Sequence, residues 1–261
     1  MALITEGWKN LLVTNKGGIV TVTVNRPKAM NAINMALMVE LESFFKGLRD
    51  APEADVVILT GAGEKAFVAG ADIKEMAAMD SVSGRSWALI GEKVTSLIER
   101  APQPVIAAVN GYALGGGCEF ALACDFRYAS ANAKFGQPEV KWGINACFGG
   151  TQRLIRAVGP GMAKELLYTA RFIDAAEALR VGLINQVFPD QASLLAAAEK
   201  TAKEIQKNGK TAVQYTKLVV NAGRDVDIDT AIFHEAQFFG LCFNDPEQKK
   251  RMTDFMNKNK K

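Results

Sequence analysis

Three consecutive glycines at 115–117 run directly into Cys118 and Glu119, and a second glutamate, Glu139, closes the motif Gly136-Gln137-Pro138-Glu139. Glycines at the start of a helix leave backbone N–H groups unpaired and unshielded, at the positive end of the helix dipole, where they can hold a developing oxyanion. Two carboxyl groups near such donors can divide proton removal and proton delivery, provided their surroundings hold one protonated and the other ionised. The parts together suggest chemistry at an activated carbonyl. Alone, Glu119 would read as a helix-start charge and Glu139 as a surface residue after a proline. Both within their motifs read as a catalytic pair.

The elements that must position these residues are legible as an alternation. Residues 18–25 carry the β-branched run Ile19-Val20-Thr21-Val22-Thr23-Val24 and stop at Arg26-Pro27, which reads as a strand. Residues 35–48 place Leu37, Leu41, Phe44, Phe45 and Leu48 on one side of a helix. A second strand follows at 56–59, then a turn-rich stretch, 60–72, that leads through Asp72 into a helix containing Ile73 and Met76. After a helix around 87–99, the run Val105-Ile106-Ala107-Ala108-Val109 reads as a strand buried on both faces and ended by Asn110-Gly111. Strand, glycine-rich loop and helix in this order argue for an α/β domain with crossovers. Beyond Gly149-Gly150-Thr151 the pattern predicts helix after helix (151–158, 162–169, 175–181, 192–206, 212–222 and 228–239), with apolar faces that need either the core or another subunit to cover them. We divide the chain into a catalytic core, 1–195, and a C-terminal helical region, 196–261.

Composition narrows the function classes. A chain of 261 residues, 49% hydrophobic, can bury a large core as one domain. Its net charge of +3 is spread along the chain except for the basic end 257–261, so nucleic acid is not the expected partner. The four cysteines, Cys118, Cys124, Cys147 and Cys242, form no C-x-x-C pair and have only His234 beside them as a further soft ligand, so no metal is expected. The start of the chain has no basic region leading into an apolar stretch, and no apolar run is long enough to span a bilayer, so the expectation is a cytoplasmic protein without a membrane partner.

Six motifs in order resemble the enoyl-CoA hydratase/isomerase (crotonase) superfamily, and the short-chain hydratases within it: residues 25–32, 69–73, 104–111, 115–119, 135–139 and 149–154. The resemblance implies an α/β spiral of repeated ββα units with a C-terminal helical trimerisation region, assembled as trimers that pair into hexamers. It implies a coenzyme A thioester as substrate and no separate cofactor. By the same resemblance, the backbone N–H groups of Ala71 and Gly116 match the two that hold the thioester oxygen, and Glu119 and Glu139 match the catalytic glutamates that hold one water between them. The coenzyme-binding segment matches Ala71, Asp72, Ile73 and Lys74, with Asp72 there through its backbone and not its carboxylate. Lys28 and Ala29 match a loop along the nucleotide, and Phe255 and Lys258 resemble an aromatic and a basic residue that reach the coenzyme of a neighbouring subunit.

The match breaks at one place. Hydratases of this kind usually read Gly-Ile-x-Pro-Gly-x-Gly-Gly-Thr-Gln after the second glutamate, whereas this chain has Asn145, Ala146 and Cys147 in the third to fifth positions. The replaced glycine is the one whose N–H commonly helps to hold the catalytic water. A thiol there has no nearby histidine to activate it and reads as a small packed cysteine, while Asn145 offers a hydrogen bond to a water or a modified substrate. The resemblance implies reversible syn addition of water to a short-chain 2-enoyl-CoA, of the crotonyl-CoA/3-hydroxybutyryl-CoA type. The alternatives are an enoyl-CoA isomerase, a hydratase of an unusual acyl-CoA, and an acyl-CoA-binding protein with impaired catalysis.

Overall fold

The computed structural model describes residues 3–258, the side chain of Lys258 excepted. Strand β1 (Leu11–Lys16) pairs antiparallel with β2 (Ile19–Val24), which pairs parallel with β3 (Val56–Gly61) across the helix α1 (Met35–Gly47). From β3 onward one unit repeats: a long strand enters a large sheet, a three-residue strand enters a small one, and helix carries the chain back. Strand β3 is followed by β4 (Ala66–Val68) and by α2 (Ile73–Met76) and α3 (Ser81–Glu99). Strand β5 (Val105–Val109) is followed by β6 (Tyr112–Leu114) and α4 (Gly116–Ala123). Strand β7 (Phe126–Ser130) is followed by β8 (Lys134–Gly136), a 3₁₀ turn at Glu139–Trp142, α5 (Gly150–Val158) and α6 (Pro160–Thr169). After β9 (Ile173–Asp174) and α7 (Ala175–Arg180), β10 (Gln186–Phe188) completes a six-stranded sheet of order β1-β2-β3-β5-β7-β10, beside a four-stranded sheet of order β4-β6-β8-β9. Each ββα unit advances both sheets by one strand, which is the spiral the resemblance implies.

Strand β3 shows why the central strands lack alternation in sequence. Its Val57 and Leu59 pack with α1, α3 and α4 on one face, while Val56 and Ile58 pack on the other against Leu194, Ala198 and Ala202 of α8 (Gln191–Gln206). Successive side chains point to opposite faces and both are covered, so positions 56–59 are apolar without alternation. The boundary drawn after residue 195 falls inside α8, and α9 (Lys210–Gly223), α10 (Ile228–Cys242) and α11 (Pro246–Lys258) follow it.

The last part of the chain is not helix alone, as its pattern predicts. It returns to the sheets twice: β9 pairs antiparallel with β8, and β10 pairs parallel with β7, Val187 opposite Ala129. Two or three residues carry too little of a period-2 pattern to be recognised, and the same holds for β4, β6 and β8. Helix α4 is buried at every position. A Cβ on Gly117 would fall 1.9 Å from the Val68 carbonyl oxygen, so only glycine lets β4 lie against this helix and fix the direction of Glu119 two residues further on.

Candidate active site

Glu119 lies in the first turn of α4 and is buried, while Glu139 opens the 3₁₀ turn after β8 and is half-buried. Both face one cavity of about 350 Å³, whose lining also includes Ala71, Gly116, Trp87 and Cys147. The two carboxyl groups therefore share a single chamber, as the sequence reading requires. The N–H groups of Ala71 and Gly116, on the same lining, have no hydrogen-bond acceptor among the described residues. Ala71 is aligned by a parallel bridge to Ile33, in which the Ile33 N–H donates to the Gly70 carbonyl at 2.8 Å and the Asp72 N–H donates to the Ile33 carbonyl at 2.7 Å. That bridge turns the neighbouring amides to Ile33 and leaves the Ala71 N–H to the other side.

The two glutamates are held differently. Glu119 Oε1 accepts the Phe148 N–H at 2.7 Å and the Gly150 N–H at 2.6 Å, the latter at the N-terminus of α5. A Cβ on Gly150 would fall 2.7 Å from this oxygen, so the close approach needs glycine. Glu139 is faced by the side chain of Gln137, itself buried; with its amide nitrogen turned to the carboxylate it donates to Oε1 at 2.9 Å and Oε2 at 3.1 Å. An amide has a donor end and an acceptor end, so Gln137 can serve either ionised Glu139, through N–H, or protonated Glu139, through C=O.

Burial pushes the Glu119 carboxyl well above the usual carboxylate range, and the charge of Glu139 pushes it further, against the pull of the Gly150 and Phe148 N–H groups and of Arg153. Burial also raises Glu139. Two acids sharing one largely desolvated chamber resist a double negative charge, so near neutral pH the pair holds a proton. The Cys147 thiol is pushed up to about 12 by burial and by both glutamates, which keeps it protonated and makes it a poor nucleophile.

Of the other expected residues, Ile73 lines the cavity, while Asp72 caps α2 by accepting the Lys74 N–H at 3.3 Å and pairs with Arg26 at 3.6 Å. Lys74 is exposed on α2, and Lys28 and Ala29 lie in a 3₁₀ turn, Pro27–Ala29, outside the cavity lining. Asn145 does not face the chamber: it is exposed, and its Nδ2 donates to the neighbouring Ala146 carbonyl at 2.9 Å, with Ala146 itself buried. Phe255 is 67% exposed on α11 and does not line the cavity of its own chain, and the Lys258 side chain lies outside the described residues. Sequence reasoning assigned no role to Gln137, although it stands inside a quoted motif, and could not assign Met76 or Trp87, which the structure puts on the wall. Among the described residues no group of three or more His, Cys, Asp or Glu is placed to hold a metal, and no helix is long and apolar enough to cross a membrane.

The chain is similar to known proteins over nearly its whole length. The chain is 49% identical over 251 residues to a short-chain-enoyl-CoA hydratase of Clostridium acetobutylicum, covering 96% of each chain. It is 49% identical over 253 residues to a crotonyl-CoA hydratase of Syntrophomonas wolfei, covering 97% of each. Its fold superposes on a crystal structure of enoyl-CoA hydratase from Bacillus anthracis with a TM-score of 0.92 at 39% identity, over 96% of this chain and 97% of that one. With residues 14–261 matching the family described as enoyl-CoA hydratase/isomerase, the chain belongs to that family.

Proposed function

We propose that the protein adds water reversibly to short-chain 2-enoyl-CoA thioesters, of which crotonyl-CoA is the representative, to give 3-hydroxyacyl-CoA. The observation that carries this reading is the shared chamber: one buried and one half-buried carboxyl group and two unpaired backbone N–H donors on one lining.

In this reading the thioester oxygen sits between the N–H groups of Ala71 and Gly116, which form an oxyanion hole. Charge grows on that oxygen only as the enolate forms, so each fixed donor contributes about 3–4 kcal/mol to lowering the barrier. A water between the glutamates attacks Cβ, its oxygen forming the new C–O bond while Glu119 takes its proton. Protonated Glu139 delivers a proton to Cα from the same side, and the pair then exchanges its proton to return to the starting state. Burial and the Glu139 charge raise Glu119 the further of the two, and the assignment of roles rests instead on the fixed supports: the backbone N–H groups on Glu119 and the start of α5 favour its anion, whereas the Gln137 amide accommodates either form of Glu139.

The reading uses no metal or cofactor beyond the coenzyme A of the substrate. It includes self-association as a trimer or hexamer, supported by large apolar side chains left exposed on the C-terminal helices, among them Val220, Ile232, Phe233, Phe239 and Phe255. Phe255 and Lys258 would then serve a neighbouring subunit's coenzyme, and light scattering of the purified protein tests the assembly. A cytoplasmic location belongs to the same reading. Mixing the protein with crotonyl-CoA and following loss of the enoyl absorbance tests the reaction, and no turnover above background rejects it. A hydratase of an altered acyl group is a second reading, favoured by Cys147 lining the chamber where the hydratase pattern that the sequence resembles has glycine. A panel of 2-enoyl-CoA esters separates the two.

A further inference from the structure

Behind Glu119 runs a chain of polar contacts that the reaction itself does not use. The Phe148 N–H binds Glu119, and the carbonyl of the same residue accepts from Arg153 Nη1 at 2.9 Å and from Thr95 Oγ1 at 2.9 Å. Arg153, on α5, continues to Glu99 at the end of α3, with Nη2 at 2.8 Å and Nε at 3.2 Å from Oε2. The other oxygen of Glu99 accepts from Arg224 at 2.9 Å, just past α9, and the Glu99 backbone carbonyl accepts from Asn221 Nδ2 at 3.1 Å. Burial raises the Glu99 carboxyl, but Arg153 and Arg224 outweigh it and hold the group below the usual range, so it stays ionised as the hub of this chain.

We propose that Arg153 is a positioning residue for Glu119, and that Glu99, Arg224 and Asn221 tie this positioning to the docking of α9 in the C-terminal helical region. The mechanism is geometric. The peptide units from Phe148 to Gly150 present two N–H groups to one carboxylate oxygen, and rotation of that segment would misdirect both. Arg153 and Thr95 fix it from behind by its carbonyl. Arg153 reaches this carbonyl only while Glu99 holds the guanidinium, and α9 holds Glu99. Other groups also face Glu119: Glu139 from the 3₁₀ turn and Cys118 on its own helix, with Cys147 from the loop beside it. Glu92 on α3 acts on Cys147, Arg127 on β7 acts on Cys118, and Arg153 pulls directly on Glu119.

The inference rests on Glu119 as the base of the proposed hydration, and its test separates the two claims. Arg153→Met is expected to lower kcat on crotonyl-CoA by about 10- to 100-fold, the cost of a slightly misplaced catalytic group. The dissociation constant for butyryl-CoA, a saturated ligand, should stay within about threefold, since no binding group is removed. The rising limb of the pH profile should move to higher pH, because both the lost cation and the loosened N–H groups had favoured the Glu119 anion. Arg224→Met, remote from the chamber, should move both quantities the same way by less. If Arg153→Met does not fold, Arg224→Met decides by the same criteria. A wild-type rising limb in the folded variant overturns the proposal, as does a loss of butyryl-CoA binding with kcat retained. Should the wild-type protein not hydrate crotonyl-CoA, the functional reading fails by itself. The positioning claim then stands or falls on the carbon-13 carboxyl titration of Glu119, assigned with Glu119→Gln, which must move upward in Arg153→Met.

Discussion

The two sides of the chamber are built to different specifications. Glu119 comes from a helix with every residue buried and takes two backbone N–H groups on one oxygen. Glu139 comes from a short 3₁₀ turn whose neighbours Val140 and Trp142 are exposed, and it is faced by one side-chain amide. Backbone donors can only donate, so they favour one protonation state. An amide side chain can present either end. Under the proposed hydration, the comparison teaches that a residue kept as a base is best held by main chain, and a residue that must start as an acid and finish as a base by a group that serves both forms.

Removing either carboxylate is the hardest blow to this division. Glu119→Gln and Glu139→Gln should each lower kcat on crotonyl-CoA by about 10²- to 10⁴-fold with little change in affinity for butyryl-CoA, the usual worth of a positioned acid or base. Gln137→Met sharpens the comparison by leaving Glu139 without its amide. It should cost about tenfold in kcat, in proportion to one hydrogen bond to a charged group, and should leave the Glu119 carboxyl titration nearly in place. Cys147→Gly should change kcat by less than about tenfold and widen the range of acyl chains accepted, because it removes bulk from the wall while the backbone N–H is present in either residue. A chain-length series of enoyl-CoA esters reads that outcome.

The smallest expected effect is on stability. The folded-state pKa of Glu119 is raised above its unfolded value, so between the two the unfolded chain binds fewer protons and stability falls as pH rises through that window. Glu119→Gln removes the buried charge while its amide oxygen can still accept the Phe148 and Gly150 N–H groups. Its melting temperature should exceed that of the wild type by a few degrees above neutral pH, about 2–4 °C per kcal/mol for a chain of this size, and the gap should close toward pH 5. Thermal unfolding at both pH values checks this.

Much of the site was legible in the sequence because its parts are local. The triple glycine before Glu119 and the motif around Glu139 are contiguous strings, and the doubly buried β5 is a continuous apolar run. What escaped depends on contacts between distant segments. The strands β4, β6 and β8 are three residues each and exist because neighbouring turns of the spiral stack them. The return of β10 to the large sheet carries the same lesson. Gln137 and Arg153 both stood inside quoted motifs, but their partners, Glu139 and Glu99, become apparent only when the chain is folded. Asn145 shows the opposite case: a residue singled out because it adjoins a departure from a pattern turns to its own neighbour and away from the chamber.

The central claim is that one proton from the pair and one hydroxyl from water arrive on the same face of the double bond. Hydration of crotonyl-CoA in deuterium oxide, with the product resolved by proton NMR, tests it directly. The account predicts a single deuterium at Cα, on the face that carries the new hydroxyl at Cβ. Deuterium on the opposite face, or an even mixture of the two, would contradict it.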